Sequence, residues 1–149
     1  MTWERCPTYI PEKFEEAWGK ELSQEPGLTV VEMMNAAEEG DVRGMYIMGE
    51  NPMVSDPDIG HVEKGLDNLD FLVVQDIFMT ETAEHADVIL PAASFVESEG
   101  SFTNSERRIQ KLNRAIEPKG NTKPDWEIIS ELSTKLGYPM SYDSPGELT

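Results

Sequence analysis

Three short apolar runs punctuate the chain, and each stops at a polar or turn-forming group. Met45-Tyr46-Ile47-Met48 leads into Gly49-Glu50-Asn51-Pro52, Phe71-Leu72-Val73-Val74 into Gln75-Asp76, and Val88-Ile89-Leu90 into Pro91. Apolar runs this short, bounded by turn residues, predict buried strands, and Pro91 ends the third because it has no N–H for a sheet ladder. Helical patterns lie between and around them. Thr29 with Glu32 forms a capping box, Leu28 and Met33 take the staple positions, and Val30, Met33, Met34 and Ala37 share an apolar face that ends at Gly40. A second helix, about Pro57 to Leu66, has Ser55 or Asp56 as its cap and Ile59, Val62 and Leu66 facing inward. Ile77 to Ala86 predicts one short helix with Thr80 as its cap. The last helix opens at Asp125, an N-cap residue, carries Trp126, Ile129, Leu132 and Leu136 as its buried stripe, and ends at Gly137 before Pro139.

Apolar strands alternating with helices predict a parallel sheet covered on both faces. The expected fold is therefore a three-layer α/β domain of dinucleotide-binding type, with a mainly parallel sheet. After Gly100 the pattern changes: Phe102-Thr103 and Arg108-Ile109-Gln110 predict a small hairpin around Asn104-Ser105-Glu106. The α/β domain is expected over residues 29–140. Residues 1–28, broken by Pro7, Pro11 and Pro26, read as a wrapping connector with a short helix from Glu12 to Trp18 on which Phe14, Ala17 and Trp18 share a face. Residues 141–149 read as a flexible polar tail.

Composition narrows the partners. The chain has 149 residues, with 29 acidic against 12 basic side chains and a net charge of −17. Such a charge repels nucleic acid and anionic membranes. Six basic residues cluster between Arg107 and Lys123, as either a solvated face or a rim beside an anionic ligand or a partner chain. No apolar run approaches the roughly 18 residues that span a bilayer, so no membrane insertion is expected. The polar N-terminus does not read as a signal peptide, and a reducing cytoplasm is the expected compartment. The single cysteine, Cys6, excludes an internal disulfide, a cysteine-only zinc site or an iron–sulfur cluster within the chain, and its acidic, proline-flanked setting would raise a thiol pKa. His61 and His85 read as surface or helix-end residues, and the methionines as core filling.

The three strand ends carry the functional signal. In an open α/β sheet, side chains just beyond the carboxyl ends of the strands converge on a crevice. The stretch from Asp87 to Arg108 is expected to close over a nucleotide-like cofactor there. No GxSxG elbow, GxGxxG or phosphate-binding loop is present, and no pair of acids has a spacing that singles it out for acid–base work. The residues thus predict a cofactor-binding piece with no catalytic residue and no metal ligand of its own.

MYIMGENP, VVQDIFMTETAEHADVILPAASFVESEGSFTNSERRIQ and KPDWEIISELSTKLGYPM together resemble the molybdopterin oxidoreductase family, in particular the catalytic alpha subunits of formate dehydrogenases. PGLTVVEMMNAAEEGDVRGMYIMGENP extends the likeness to nearly the whole chain. Only an internal part of such a subunit is covered. The family's cysteine cluster for a [4Fe–4S] centre, its cysteine or selenocysteine ligand to the metal and its closing C-terminal domain have no counterpart here. The resemblance implies a bis-molybdopterin guanine dinucleotide cofactor with molybdenum or tungsten, this domain gripping one guanosine end. It implies the remainder of the catalytic subunit, and iron–sulfur electron-transfer subunits, as partners. It places Gly49, Glu50 and Asn51 near the nucleotide, with Gly49 suited to close approach by the diphosphate. It places Gln75 and Asp76 near the ribose and guanosine, Ser98 at a variable polar position, and Asp125 at guanine. One carboxylate can accept from guanine N1–H and N2–H together, a strong charge-assisted pair; the competing role for Asp125 is to cap its helix. The parent would oxidise formate to carbon dioxide, and this piece alone is expected to be inactive. Alternatives are the same domain of a nitrate reductase or another relative, or a free-standing nucleotide-binding or scaffold module.

Overall fold

The computed structural model describes residues 11–23 and 25–148; Cys6 and the rest of the first ten residues lie outside them. Contacts divide the chain into two units between Met33 and Met34. In the first, helix α1 spans Pro11–Trp18, with the Phe14 and Trp18 rings 5.1 Å apart. Both rings remain exposed. Thr29 caps helix α2, Val30–Glu39, through the anticipated box: Thr29 N–H donates to Glu32 Oε2 at 2.7 Å and Glu32 N–H to Thr29 Oγ1 at 3.4 Å. Donation to the carboxylate from Thr29 N–H, and also from Thr29 Oγ1, holds the Glu32 carboxyl below its ordinary pKa.

The second unit contains the sheet. Strands β1 (Gly44–Met48), β2 (Phe71–Asp76) and β3 (Val88–Pro91) lie in the order β1-β2-β3, all parallel. Helices α3 (Pro52–Ser55) and α4 (Ile59–Asp67) connect β1 to β2, and a single 3₁₀ turn at Thr82–His85 lies between β2 and β3. Antiparallel strands β4 (Gly100–Thr103) and β5 (Ile109–Leu112) form the hairpin, and helix α5 runs from Asp125 to Lys135. The α/β architecture and the hairpin are as the sequence predicts.

The register assigns the two sheet faces. Ile47 pairs with Val74 and Met45 with Leu72, and these four belong to the core with Met34, Val62, Leu66 and Ala83. That core lies between the sheet and helices α2 and α4. The helices cross closely at Gly65, where an added Cβ would lie 3.2 Å from Met34 O. The opposite face carries Tyr46, Val73, Gln75 and Leu90; α5 meets it at the carboxyl end, where Leu90, Ile128 and Leu132 line one cleft. Toward the amino ends this face is open, with Phe71 at 50% exposure.

Several local expectations are corrected. Helix α4 is capped by Asp58, which accepts from His61 N–H at 3.1 Å, because α3 already occupies Pro52–Ser55. Ile59 is therefore exposed, while Val62 and Leu66 are buried as expected. Val30 is exposed, while Met34 and Ala37 carry the buried face of α2. The α5 stripe is shifted: Ile128 and Ser130 are buried, whereas Ile129 and Leu136 are exposed. The segment Ile77–Ala86 has only the 3₁₀ turn, although Thr80 Oγ1 does accept from Ala83 N–H at 3.2 Å. Strand β3 is an edge, so Val88 and Ile89 are exposed, and Tyr46 and Met48 on the other edge strand are exposed too.

Candidate functional site

The strand ends of β1, β2 and β3 share one edge, as their parallel register requires. Gly49 leaves β1 with φ +64°, a left-handed conformation that favours glycine, and no atom lies within 4 Å of where a Cβ would project. Its N–H donates to Gln75 O at 2.9 Å, carrying the sheet ladder one residue past β1. Glu50 accepts from Ser55 Oγ at 3.1 Å. Asn51 is fully engaged as a tie. Its Oδ1 accepts from Thr82 Oγ1 at 2.7 Å and its Nδ2 donates to Glu81 Oε2 at 2.8 Å, which lowers the Glu81 pKa. Asn51 therefore binds the end of β1 to the segment after β2.

The second strand end supplies the most informative group. Gln75 is completely buried. Its Oε1 accepts from the Tyr46 hydroxyl, and its Nε2 donates to Asp125 Oδ1 at 2.5 Å. The Tyr46 phenol is pushed above its ordinary pKa of 10.0, by burial first and by the Asp125 charge second. Asp125 is the first residue of α5 and makes no capping bond; Pro124 holds the cap position. The capping role weighed from sequence is thus absent, and the carboxylate points at β2 instead. Among the described residues no protein group is recorded donating to its other oxygen. Asp76, half-buried at the end of β2, accepts from Phe78 N–H at 3.0 Å.

The third strand end forms a wall. Ser94 and Glu97 make a reciprocal capping box, with Ser94 N–H and Oγ at 2.9 and 2.8 Å from Glu97 Oε2. The other Glu97 oxygen accepts from Lys119 N–H at 3.0 Å. Buried Glu97 thus pins the loop after β3 to the turn before α5, and its bonds to Ser94 hold its pKa low, with Lys119 adding less. Ser98 Oγ donates to Ser94 O at 3.1 Å. An open cleft of about 290 Å³ is lined by Ile77, Ser94, Ser98, Gly100, Phe102 and Asp125, among others. Ser98 and Asp125 therefore meet in one cleft, with Gln75 behind Asp125, while Asn51 and Glu50 are bound within the adjacent strand end. Three of the six basic residues in the cluster are paired on the surface: Arg108 with Glu106, Arg114 with Glu117, Lys123 with Glu131.

Sequence reasoning missed Tyr46, Ser94 and Glu97. The Ser94-Phe95-Val96-Glu97 spacing is a capping-box signal and could have been found. Tyr46 lay inside an apolar run, and no local pattern distinguished it from its neighbours.

The molybdopterin oxidoreductase profile matches residues 6–135. The chain belongs to the molybdopterin oxidoreductase family, whose shared cofactor is a molybdopterin. It is 55% identical over 125 residues to the F420-dependent formate dehydrogenase subunit alpha of Methanocaldococcus jannaschii, covering 84% of this chain and 18% of that one. It is 47% identical over 138 residues to formate dehydrogenase H of Escherichia coli, covering 92% and 19%. Among solved structures, acetylene hydratase from Pelobacter acetylenicus superposes with a TM-score of 0.66 at 26% identity, over 72% of this chain and 16% of that one. The chain spans less than a fifth of the length of these relatives.

The residues leave room for part of such a cofactor. A carboxylate oxygen of Asp125 with no protein donor among the described residues faces a cleft whose walls mix apolar Ile77 and Phe102 with polar Ser94 and Ser98, and Gly49 leaves open space where a side chain would project.

Proposed function

We propose that this chain is the domain of a formate dehydrogenase catalytic subunit that grips the guanosine end of a molybdopterin guanine dinucleotide. The observation that carries this reading is the Asp125 carboxylate, held on one oxygen by buried Gln75 and presented at the strand-end cleft. Guanine offers two adjacent N–H donors, which match a carboxylate bidentately. Adenine offers one donor beside an acceptor, which the same carboxylate repels. A cleft of about 290 Å³ is at the small end of the range of ligand sites, and it suits a single base rather than a whole dinucleotide.

The remaining residues have supporting roles in this reading. Gly49 lets the diphosphate approach the backbone, Gln75 and Asp76 border the ribose and guanosine, and Ser98 offers a hydroxyl at the rim. Glu50 and Asn51 shape the first strand end. The pterin would position a molybdenum or tungsten centre, two such dinucleotides sharing the metal, and that centre supplies the redox chemistry when bound. This chain's residues bind and orient. The metal ligand, the [4Fe–4S] cluster and iron–sulfur partner subunits belong to the remainder of the parent. The domain comprises residues 29–140 in this proposal, with 1–28 as a wrapping segment and 141–149 as a tail.

Isothermal titration of the chain with GMP and AMP tests the assignment. GMP is expected to bind and AMP to bind much more weakly. Asp125→Asn, which puts an N–H₂ opposite the guanine donors, is expected to weaken GMP by roughly 10- to 100-fold, the equivalent of a charged hydrogen bond. Equal GMP affinity in wild type and Asp125→Asn would sink the guanine role.

A further inference from the structure

We propose that Tyr46 is a positioning residue for guanine recognition, fixing the orientation of the Gln75 amide and through it the Asp125 carboxylate. The inference rests on the reading of Asp125 above and extends it to a residue on the opposite edge strand. An ionised carboxylate only accepts, so Asp125 requires the N–H₂ end of Gln75. The carbonyl end then faces Tyr46 and can only accept, so the Tyr46 hydroxyl must donate. The chain runs one way, from phenol to amide to carboxylate. Each step is between named groups on three elements, β1, β2 and α5.

Burial gives the chain its weight. Gln75 is fully buried, so a reversed amide would set its carbonyl against the Asp125 charge with no water to relieve it. The Asp125 charge excludes that state, and the Tyr46 hydroxyl, donating to the carbonyl end, holds the amide in place in the remaining one. Asp125 itself is exposed and sits at the first turn of a helix, where nothing else recorded among the described residues fixes its rotamer. Its free oxygen therefore faces the cleft only while Gln75 holds the bonded one.

Tyr46→Phe keeps the ring and removes only the donor. Two readouts separate positioning from a general loss of stability. The first needs no nucleotide: the side-chain amide protons of Gln75, assigned by nuclear magnetic resonance, should exchange slowly in wild type. They should shift and exchange several-fold faster in Tyr46→Phe and in Asp125→Asn. The second is selectivity between GMP and IMP, which lacks the guanine 2-amino group. Wild type should prefer GMP, and Tyr46→Phe should lose roughly three- to tenfold of that preference, the equivalent of one neutral hydrogen bond, with its melting temperature little changed. Gln75→Met, of similar length but without the amide, should lose the preference as well. A purely structural role would weaken GMP and IMP alike and leave their ratio intact, which would overturn the proposal. Unchanged Gln75 signals in Tyr46→Phe would overturn it too. If wild type binds GMP, Asp125→Asn weakens it and Tyr46→Phe keeps the ratio, Tyr46 alone is excluded. If wild type binds no GMP, the reading of Asp125 falls and this proposal falls with it.

Discussion

At the scale of single residues, the site depends on polar groups whose hydrogen bonds are satisfied within the protein. Glu97 is the clearest case outside the cleft itself, because one carboxylate bonds Ser94 on one side and Lys119 on the other. Its pKa in the folded chain lies below the ordinary 4.5. The stabilisation from these bonds is therefore complete above that value and is lost as pH falls through the folded pKa. Amide exchange at Ser94 and Lys119 is expected to be slow near neutral pH and to accelerate below about pH 4.5, before the core strands open. Glu97→Gln should show the acid behaviour already at neutral pH. Protection that is flat across this range, or equally lost in β2, would contradict the pinning role.

Elements were better defined by the sequence than were the directions of their side chains. Apolar runs bounded by turn residues located all three strands, because a parallel sheet needs apolar residues on both faces. The capping box at Thr29 located α2 to the residue. The helix faces were harder to predict. Ile129 and Leu136 fit a periodic stripe on α5, yet Ile128 is buried instead, since Asp125 must meet Gln75 and that fixes the rotation of the helix. The cap of α4 moved to Asp58 because a four-residue helix intervened, and four residues carry no readable period. Tyr46 could not be identified from sequence for a related reason: its role arises from a contact with Gln75, 29 positions away. Among the glycines, Gly65 has the least room: where α4 meets α2, an added Cβ would lie 3.2 Å from Met34 O. Gly65→Val is expected to destabilise the chain by about 1–3 kcal/mol through overpacking. Urea unfolding checks it, and a midpoint equal to wild type would show that the helices can separate without cost.

At the scale of the molecule, the charge of −17 works against compactness. The recorded ion pairs lie at the surface, where each contributes little. Screening should therefore relieve more repulsion than it weakens attraction. Raising sodium chloride from about 10 mM, where charges act over roughly 30 Å, to about 150 mM, where they act over roughly 8 Å, is expected to raise the melting temperature. A fall would mean that attractive pairs dominate. The same scale explains what this domain can and cannot decide. Two formate dehydrogenases and an acetylene hydratase share it, so the domain does not by its fold select the reaction. In the proposed role it would hold one end of a cofactor, and the open part of its sheet and its exposed Phe78 and Met79 would lie outside that grip.

The central claim is that Asp125 meets guanine, with Gln75 holding it in place. A structure of the chain with bound GMP tests it most directly. Guanine N1 and N2 are both expected within hydrogen-bond distance of the Asp125 carboxylate, roughly 2.7–2.9 Å, with the Gln75 bond retained. A base seated elsewhere along the strand ends, with Asp125 touching only solvent and Gln75, would contradict it.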